Sequence, residues 1–181
     1  MTAQGARSNH KILRPEPDDH ALGRSRGGLS TKTHLSVDRR GRPLSIRLTA
    51  GQAGDNPQLL PLLGEIAVPA RGRGGRPRAR PECVIADKAY SHRCTRITLR
   101  NKGIRVVIPE KSDQVALRKA NGRAGGRPPT FDATTYRDRN VVERAFNRLK
   151  SWRGIATRYD KHARNYRAGL VVASIVLFWL R

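Results

Sequence analysis

A strand–helix–strand segment in the middle of the chain does most to constrain the fold. Residues 84–86 form a short apolar run that ends at Asp87, and residues 104–108 form a second one. Between them, residues 91–102 have the pattern of a helix, with Gly103 as its stop. Strands joined by a helical crossover lie parallel in one sheet. The segment therefore predicts a parallel strand pair within an α/β domain.

An antiparallel hairpin is predicted upstream of this pair. Apolar and β-branched residues alternate with polar ones over residues 31–37 and 44–48, and residues 38–43 between them have turn chemistry. Asp55 is expected to be the N-cap of a following helix. The pattern as a whole predicts a mixed α/β domain over residues 29–181. Residues 1–28 are polar, basic and interrupted by proline and glycine, so we expect them to be poorly ordered.

The net charge indicates a polyanionic partner. The chain has 37 Lys and Arg against 14 Asp and Glu, a formal charge of +23 over 181 residues. Such a surplus favours nucleic acid as the partner and argues against an ordinary metabolic enzyme.

The longest apolar run, residues 168–180, is shorter than the roughly 20 residues of a membrane span. We therefore expect that run to be a buried helix or strand, with no membrane partner and a cytoplasmic, nucleoid-associated location.

Two carboxylates are candidates for chemistry. Asp87 follows a buried strand, where open α/β sheets place their ligands, although a helix-capping role explains it equally well. Glu143 belongs to a set of four residues spaced by 3, 4 and 7, which puts all four near one face of a helix: Tyr136, Arg139, Glu143 and Lys150. Among basic neighbours Glu143 stays ionised and ready to bind a cation. The alternative is a capping box over residues 140–143.

The spacing Tyr-x2-Arg-x3-Glu-x6-Lys over residues 136–150 resembles the signature of bacterial insertion-sequence transposases of the DDE type. The resemblance continues along most of the chain, through four further blocks: residues 27–32, 48–55, 86–90 and 152–161. It implies a ribonuclease H-like mixed sheet flanked by helices. It also implies an Asp, Asp, Glu triad that holds two Mg²⁺ or Mn²⁺ ions.

By this resemblance, Asp87 matches the second aspartate of the triad and Glu143 its glutamate. Tyr136, Arg139 and Lys150 then have supporting, DNA-binding roles. The implied reaction is DNA transposition, the cleavage and joining of strands at transposon ends by two-metal phosphoryl transfer. The implied partners are double-stranded DNA, as transposon ends and target, and further copies of the chain in a homo-oligomer.

The match departs from the family at the first catalytic aspartate, which lies on the first strand of the fold. This sequence offers no apolar strand ahead of the hairpin: Asp18 and Asp19 lie in a polar stretch flanked by proline, and Asp38 belongs to the hairpin turn. We therefore expect the first strand to be missing and the chain alone to be inactive. It would then be the downstream half of a split transposase, with an upstream half as partner, or a decayed remnant.

A non-catalytic, basic DNA- or RNA-binding protein is the alternative hypothesis. The charge alone permits it. It gives no reason, however, for the spacing over residues 136–150 or for an aspartate at the end of a strand.

The charge predicts salt-dependent, sequence-independent binding to duplex DNA. Because each phosphate that is neutralised releases counterions, log K should fall by about 0.9 per neutralised phosphate for each unit of log salt. Fluorescence anisotropy with two duplexes of unrelated sequence measures this slope. Equal affinities and a steep slope are expected, whereas an affinity that does not change with salt would contradict the prediction.

Overall fold

The computed structural model describes residues 19–70 and 74–180. Its first sheet is antiparallel and has three strands, β1 (Gly23–Ser25), β2 (Gly28–Val37) and β3 (Pro43–Ala50), with β2 in the middle. Leu35 pairs with Ile46 in the β2–β3 register. The Asp38 carboxylate accepts hydrogen bonds from the backbone N–H groups of Arg40 and Arg42, both at 2.9 Å, and so orders the turn. The predicted hairpin is confirmed.

The second sheet is the predicted parallel pair. Strands β4 (Cys83–Ile85) and β5 (Arg105–Val107) run parallel and are connected by helix α2 (Arg93–Asn101). Gly103, at φ +68°, ends the α2 segment with the left-handed backbone that glycine adopts without strain. The crossover prediction is confirmed.

Six further α-helices and several short helical turns complete the described chain. The α-helices are α1 (Asn56–Gly64), α3 (Ser112–Ala120), α4 (Ala133–Tyr136), α5 (Asn140–Lys150), α6 (Arg153–Ala156) and α7 (Ala163–Ser174). Turns of 3₁₀ helix span Lys88–Tyr90, Gly122–Gly125 and Arg137–Arg139, and a π-helical turn, Ile175–Trp179, continues α7. Within the described residues no helix has the length and apolar character needed to cross a bilayer.

The buried residues form two separate clusters. The hairpin core joins Leu35 and Ile46 to α5, α6 and α7, and its buried members are Leu35, Ile46, Ala145, Leu149, Ile155, Tyr166, Leu170 and Ala173. The parallel-pair core joins α1 to β4, α2 and β5, and its buried members are Leu59, Val84, Leu99, Ile104 and Ile108. The mixed α/β class is confirmed, but the described strands form two sheets rather than one.

Two expectations about the chain ends differ from the structure. Most of the N-terminal segment predicted to be poorly ordered, residues 1–18, lies outside the described residues. In residues 19–28, β1 pairs with β2, and the Ala163 N–H donates to the Asp19 carbonyl at 3.1 Å. Regular structure therefore begins before residue 29.

Near the C-terminus, the apolar run over residues 168–180 is a helix with one exposed face. Val172 is 53% exposed and Leu180 72%, because α7 packs on the hairpin along one side.

The parallel-pair core should respond to truncation of its most buried leucine. Leu99→Ala, at a side chain with 0% exposure, should lower the free energy of unfolding by about 2–5 kcal/mol through lost burial and a residual cavity. Leu117→Ala, at a side chain 64% exposed, is the matched control and should have little effect. Urea unfolding followed by circular dichroism measures both. Equal losses in the two variants would argue against this placement of the core.

Candidate functional site

Asp87 lies two residues after Ile85, the last residue of β4, and has an extended backbone. Its Oδ1 atom accepts a hydrogen bond from the Ala89 N–H at 2.7 Å, which caps the 3₁₀ turn that follows. The capping role is thus present. Because one carboxylate oxygen satisfies this cap, the other is available for a second function, and among the described groups none donates a hydrogen bond to it.

Glu143 lies in the first turn of α5 and pairs with Arg139. The Glu143 Oε1 atom is 2.7 Å from Arg139 Nη2, and the Glu143 side chain is half exposed. The helix N-cap makes no side-chain cap hydrogen bond, so the capping box considered for residues 140–143 does not form. The Arg139 guanidinium fixes the direction of the carboxylate and leaves Glu143 Oε2 outside the ion pair.

Asp87 and Glu143 line the same cavity. This central cavity, of about 330 Å³, lies between the two sheets and is lined by residues 33–37 of β2 and by residues 83–87, which comprise β4 and the two residues after it. Apolar side chains of α1, of the segment just after it and of α5 close the cavity: Leu59, Leu62, Leu63, Ile66, Val142 and Phe146. The structure therefore brings together the two carboxylates that the sequence singled out, at one cavity and with Arg139 beside them.

A second cavity adjoins the first at Glu143. This lysine-lined cavity, of about 620 Å³, has Lys32 of β2 and Lys150 of α5 in its walls, together with Asn147. Residues 143, 147 and 150 share one face of α5, as the spacing predicted. Cationic side chains beside a carboxylate are suited to hold phosphate near it.

Tyr136 ends α4, where its ring packs on Phe131 with the centroids 5.2 Å apart. The 3₁₀ turn Arg137–Arg139 separates it from α5. Tyr136 lines neither cavity, whereas Glu143 lines both. The structure therefore does not bring Tyr136 to the cavities that Arg139, Glu143 and Lys150 line.

Sequence reasoning missed a polar group on β2 beside the cavity. The Lys32 Nζ atom is 3.1 Å from Asp55 Oδ1 and donates to the Ala53 carbonyl at 2.7 Å. Asp55 occupies the N-cap position of α1, as expected, but its side chain makes no cap hydrogen bond, because Lys32 binds that carboxylate instead. The alternation of β2, which puts residues 32, 34 and 36 on one face, was the signal that could have found the group.

His34 is a buried residue on the polar face of β2, the face that carries residues 32, 34 and 36. Its Nε2 atom is 2.8 Å from Thr49 Oγ1, and its Nδ1 atom is 4.0 Å from Asp55. Burial lowers the pKa of His34 below its ordinary value of 6.5, and the Asp55 charge opposes part of that shift. The ring is therefore neutral at neutral pH.

Tyr90 lines the central cavity and lies near the charges of Asp55 and Asp87. Burial, together with these two charges, raises the pKa of Tyr90 to about 12. The phenol therefore remains protonated at neutral pH.

The chemical type of the oxygen atoms that Asp87 and Glu143 offer suits a hard divalent cation. Asp87 and Glu143 offer carboxylate oxygens, the ligands that Mg²⁺ takes in proteins. Within residues 19–70 and 74–180 no group of three or more His, Cys, Asp or Glu side chains is close enough to bind one ion. Two carboxylates at one cavity fit part of a magnesium site, with Arg139 as a neighbour of one of them.

Comparisons with known proteins identify the family of the chain. The family described as "Transposase DDE domain" matches residues 10–178. The chain belongs to the DDE transposase family. Membership confirms the resemblance seen in the motif over residues 136–150, and it makes the chain an enzyme of the transposase type with a general role in DNA transposition.

Two curated bacterial proteins are similar along most of the chain. The "Putative transposase for insertion sequence element IS402" of Burkholderia cepacia is 32% identical over 166 residues, 92% of this chain and 70% of that protein. The "Putative transposase for insertion sequence element IS6501" of Brucella ovis is 33% identical over 153 residues, 84% of this chain and 100% of that protein. No solved structure matches the chain.

The buried histidine gives the stability a pH dependence of defined sign. Because the pKa of His34 is lower in the folded chain, the unfolded chain takes up the proton first, and stability is lost as the pH falls below about 6.5. His34→Gln should flatten the fall of Tm between about pH 7.5 and 5.5. His92→Gln, at an exposed histidine, is the matched control. An unchanged slope in the His34 variant would refute this account of the site.

Proposed function

We propose that Asp87 and Glu143 are the metal-holding carboxylates of a two-metal phosphoryl-transfer core acting in DNA transposition. The observation that carries this proposal is that both carboxylates line one cavity between the two sheets. Each also has one oxygen held by a fixed donor, the Ala89 N–H for Asp87 and the Arg139 guanidinium for Glu143. Ligands that are already oriented bind an ion without a further ordering cost.

Mg²⁺ or Mn²⁺ bound there supplies activation of the attacking hydroxyl and stabilisation of the leaving oxygen. The chain's own residues do the positioning. Arg139 directs the Glu143 carboxylate, and Lys150 and Lys32 stand in the adjacent cavity where a DNA phosphate can be held. Tyr136 has a supporting role outside the cavities, through its packing on Phe131 at the approach to α5.

The proposed architecture is a ribonuclease H-like sheet whose first strand would lie between β2 and β4. The separation of the described strands into two sheets, with a cavity between them, supports this arrangement. That strand would also carry the first catalytic aspartate. With two carboxylates instead of three, the chain alone is inactive in strand cleavage.

The proposed partners follow from the charge and from the reaction. Double-stranded DNA, as transposon ends and as target, is negatively charged and is attracted to a chain with a formal charge of +23. Synapsis of two ends calls for a homo-oligomer, and an upstream half of a split transposase would supply the first strand. The proposed location is the bacterial cytoplasm in association with the nucleoid.

Binding of Mn²⁺ tests the two carboxylates without requiring activity. Asp87→Asn and Glu143→Gln should each weaken Mn²⁺ binding by about tenfold or more, because each removes a charged oxygen ligand. Glu82→Gln is the matched control, since Glu82 is exposed and lies at the opposite end of β4 from Asp87. Electron paramagnetic resonance of free Mn²⁺ gives the affinities. Three equal losses, or none, would remove the basis of the metal site.

A plasmid nicking assay tests the inactivity of the chain alone. Purified chain with Mg²⁺ or Mn²⁺ should leave supercoiled plasmid intact while still binding it. Nicking that disappears in Glu143→Gln would show that the present carboxylates suffice and would overturn this part of the proposal. Nucleic-acid binding with no role for either carboxylate in any assay would favour a non-catalytic binding protein.

A further inference from the structure

Two strongly exposed apolar side chains line a third cavity, next to the candidate site. Leu29 of β2 is 70% exposed, and Tyr159, in the segment between α6 and α7, is 69% exposed. Both line this outer cavity, which has a volume of about 510 Å³. Apolar side chains that are exposed together on one concave surface mark a binding site for a ligand with an apolar face.

Arg158 holds the segment that carries Tyr159. The Arg158 Nε atom donates to the Asp160 carbonyl and the Nη2 atom to the Lys161 carbonyl, both at 2.8 Å. The Nη1 atom donates to Thr31 Oγ1 on β2. Because all three guanidinium nitrogens have partners within the chain, Arg158 fixes the segment instead of offering its donors to a ligand.

Tyr166 attaches this segment to the hairpin core. The Tyr166 side chain is buried, and its hydroxyl donates to the Ile155 carbonyl at 2.9 Å. The Arg158 guanidinium carbon lies 5.4 Å from the centre of the Tyr166 ring, within the range of a cation–π contact. The Tyr159 ring is therefore held on a fixed support and yet remains exposed, which is the arrangement that a stacking surface requires.

The outer cavity is continuous with the lysine-lined cavity at the candidate site. Three residues line both cavities: Thr31, Ala156 and Tyr166. A groove therefore extends from Glu143, past Lys150, to Tyr159. A DNA strand fits such a groove, because it alternates anionic phosphates with planar bases.

The charges along the groove favour a phosphate at one end and a base at the other. Lys150 lies near Glu143 in the lysine-lined cavity and attracts phosphate. In the outer cavity the Asp160 carboxylate lines the wall together with Lys161, so it offsets the lysine charge and repels an anion. A neutral base with two apolar faces suits the outer cavity better than a phosphate does.

Only an unpaired base can use this cavity. Within a duplex, both faces of a base are covered by its stacked neighbours, and its edge is paired with the other strand. Taking such a base out of the stack costs free energy, and the cost is least where the strand is already single. The contacts available in the cavity are therefore matched to a single-stranded stretch.

We propose that the outer cavity binds an unpaired nucleobase of a DNA strand, stacked on Tyr159 and contacting Leu29, with Arg158 as the positioning residue for the Tyr159 ring. The stacking site rests on the cavity, on the two exposures and on the contacts of Arg158. The continuation of the bound strand to Glu143 rests on the proposed function.

Duplexes with three kinds of end measure the contribution of the base. The full chain is titrated by fluorescence anisotropy with a blunt duplex, with the same duplex carrying a short single-stranded tail, and with a tail of equal length made of abasic nucleotides. The abasic tail keeps the phosphates and removes the bases. The tail with bases should bind about tenfold more tightly than the abasic tail, because stacking of a base on an aromatic ring has an effect of that size.

Substitution of Tyr159 tests whether its ring provides this gain. Tyr159→Ala should remove the difference between the two tails, and Tyr159→Phe should keep it, because phenylalanine retains the ring. Trp152→Ala is the matched control, since Trp152 is also an exposed aromatic residue and lines neither cavity of the groove. Equal binding of the two tails by the parent chain, or a difference that persists in Tyr159→Ala, would overturn the stacking site.

Arg158→Lys tests the positioning role. Lysine keeps the positive charge but has one nitrogen atom, so it cannot make the three hydrogen bonds of the guanidinium group. The variant should lose the gain from the bases while its affinity for the abasic tail stays unchanged. The opposite result, a weaker affinity for the abasic tail with the full gain from the bases, would make Arg158 a phosphate contact and refute its positioning role.

Mn²⁺ binding distinguishes this proposal from the proposed function. Tyr159→Ala should bind Mn²⁺ as tightly as the parent chain does, and Asp87→Asn and Glu143→Gln should keep the gain from the tail bases. A base-dependent gain that needs Tyr159, in a chain that binds no Mn²⁺, would uphold the stacking site and refute the metal site. Mn²⁺ binding without any base-dependent gain would refute the stacking site and leave the metal site standing.

Discussion

The separation of the described strands into two sheets is the constraint on which the rest of the structure depends. β2 and β4 belong to different sheets, and the central cavity lies between them. The hydrophobic core divides at the same place, into one cluster beneath the hairpin and one around the parallel pair. α1 connects the halves, so the cavity is a feature of the fold rather than a packing defect.

The candidate site lies between the two sheets because two separate elements each place a carboxylate there. Asp87 follows β4, and Glu143 lies in the first turn of α5. The polar face of β2 adds the Lys32–Asp55 pair and buried His34. Oxygen ligands beside cations in a partly closed cavity suit phosphoryl transfer, in accord with membership of the DDE transposase family.

Local patterns predicted most of the elements and failed where a distant contact competed. The hairpin, the parallel pair and α5 follow from alternation, a glycine stop and helical spacing. Asp55 occupies the N-cap position of α1, but its side chain makes no cap hydrogen bond because Lys32, on a strand 23 positions earlier in the sequence, binds that carboxylate. Tyr136 packs on Phe131 and lines neither cavity, whereas Glu143 lines both.

The sequence by itself determined the family, the basic charge and the two carboxylates, because these depend on residue identity and spacing along the chain. Only the tertiary structure decided that Asp87 and Glu143 share a cavity and that this cavity lies between the two sheets. These features depend on how the two sheets pack on α1. Pairing across the sheet is a property of the whole backbone, and no local run of residues encodes it.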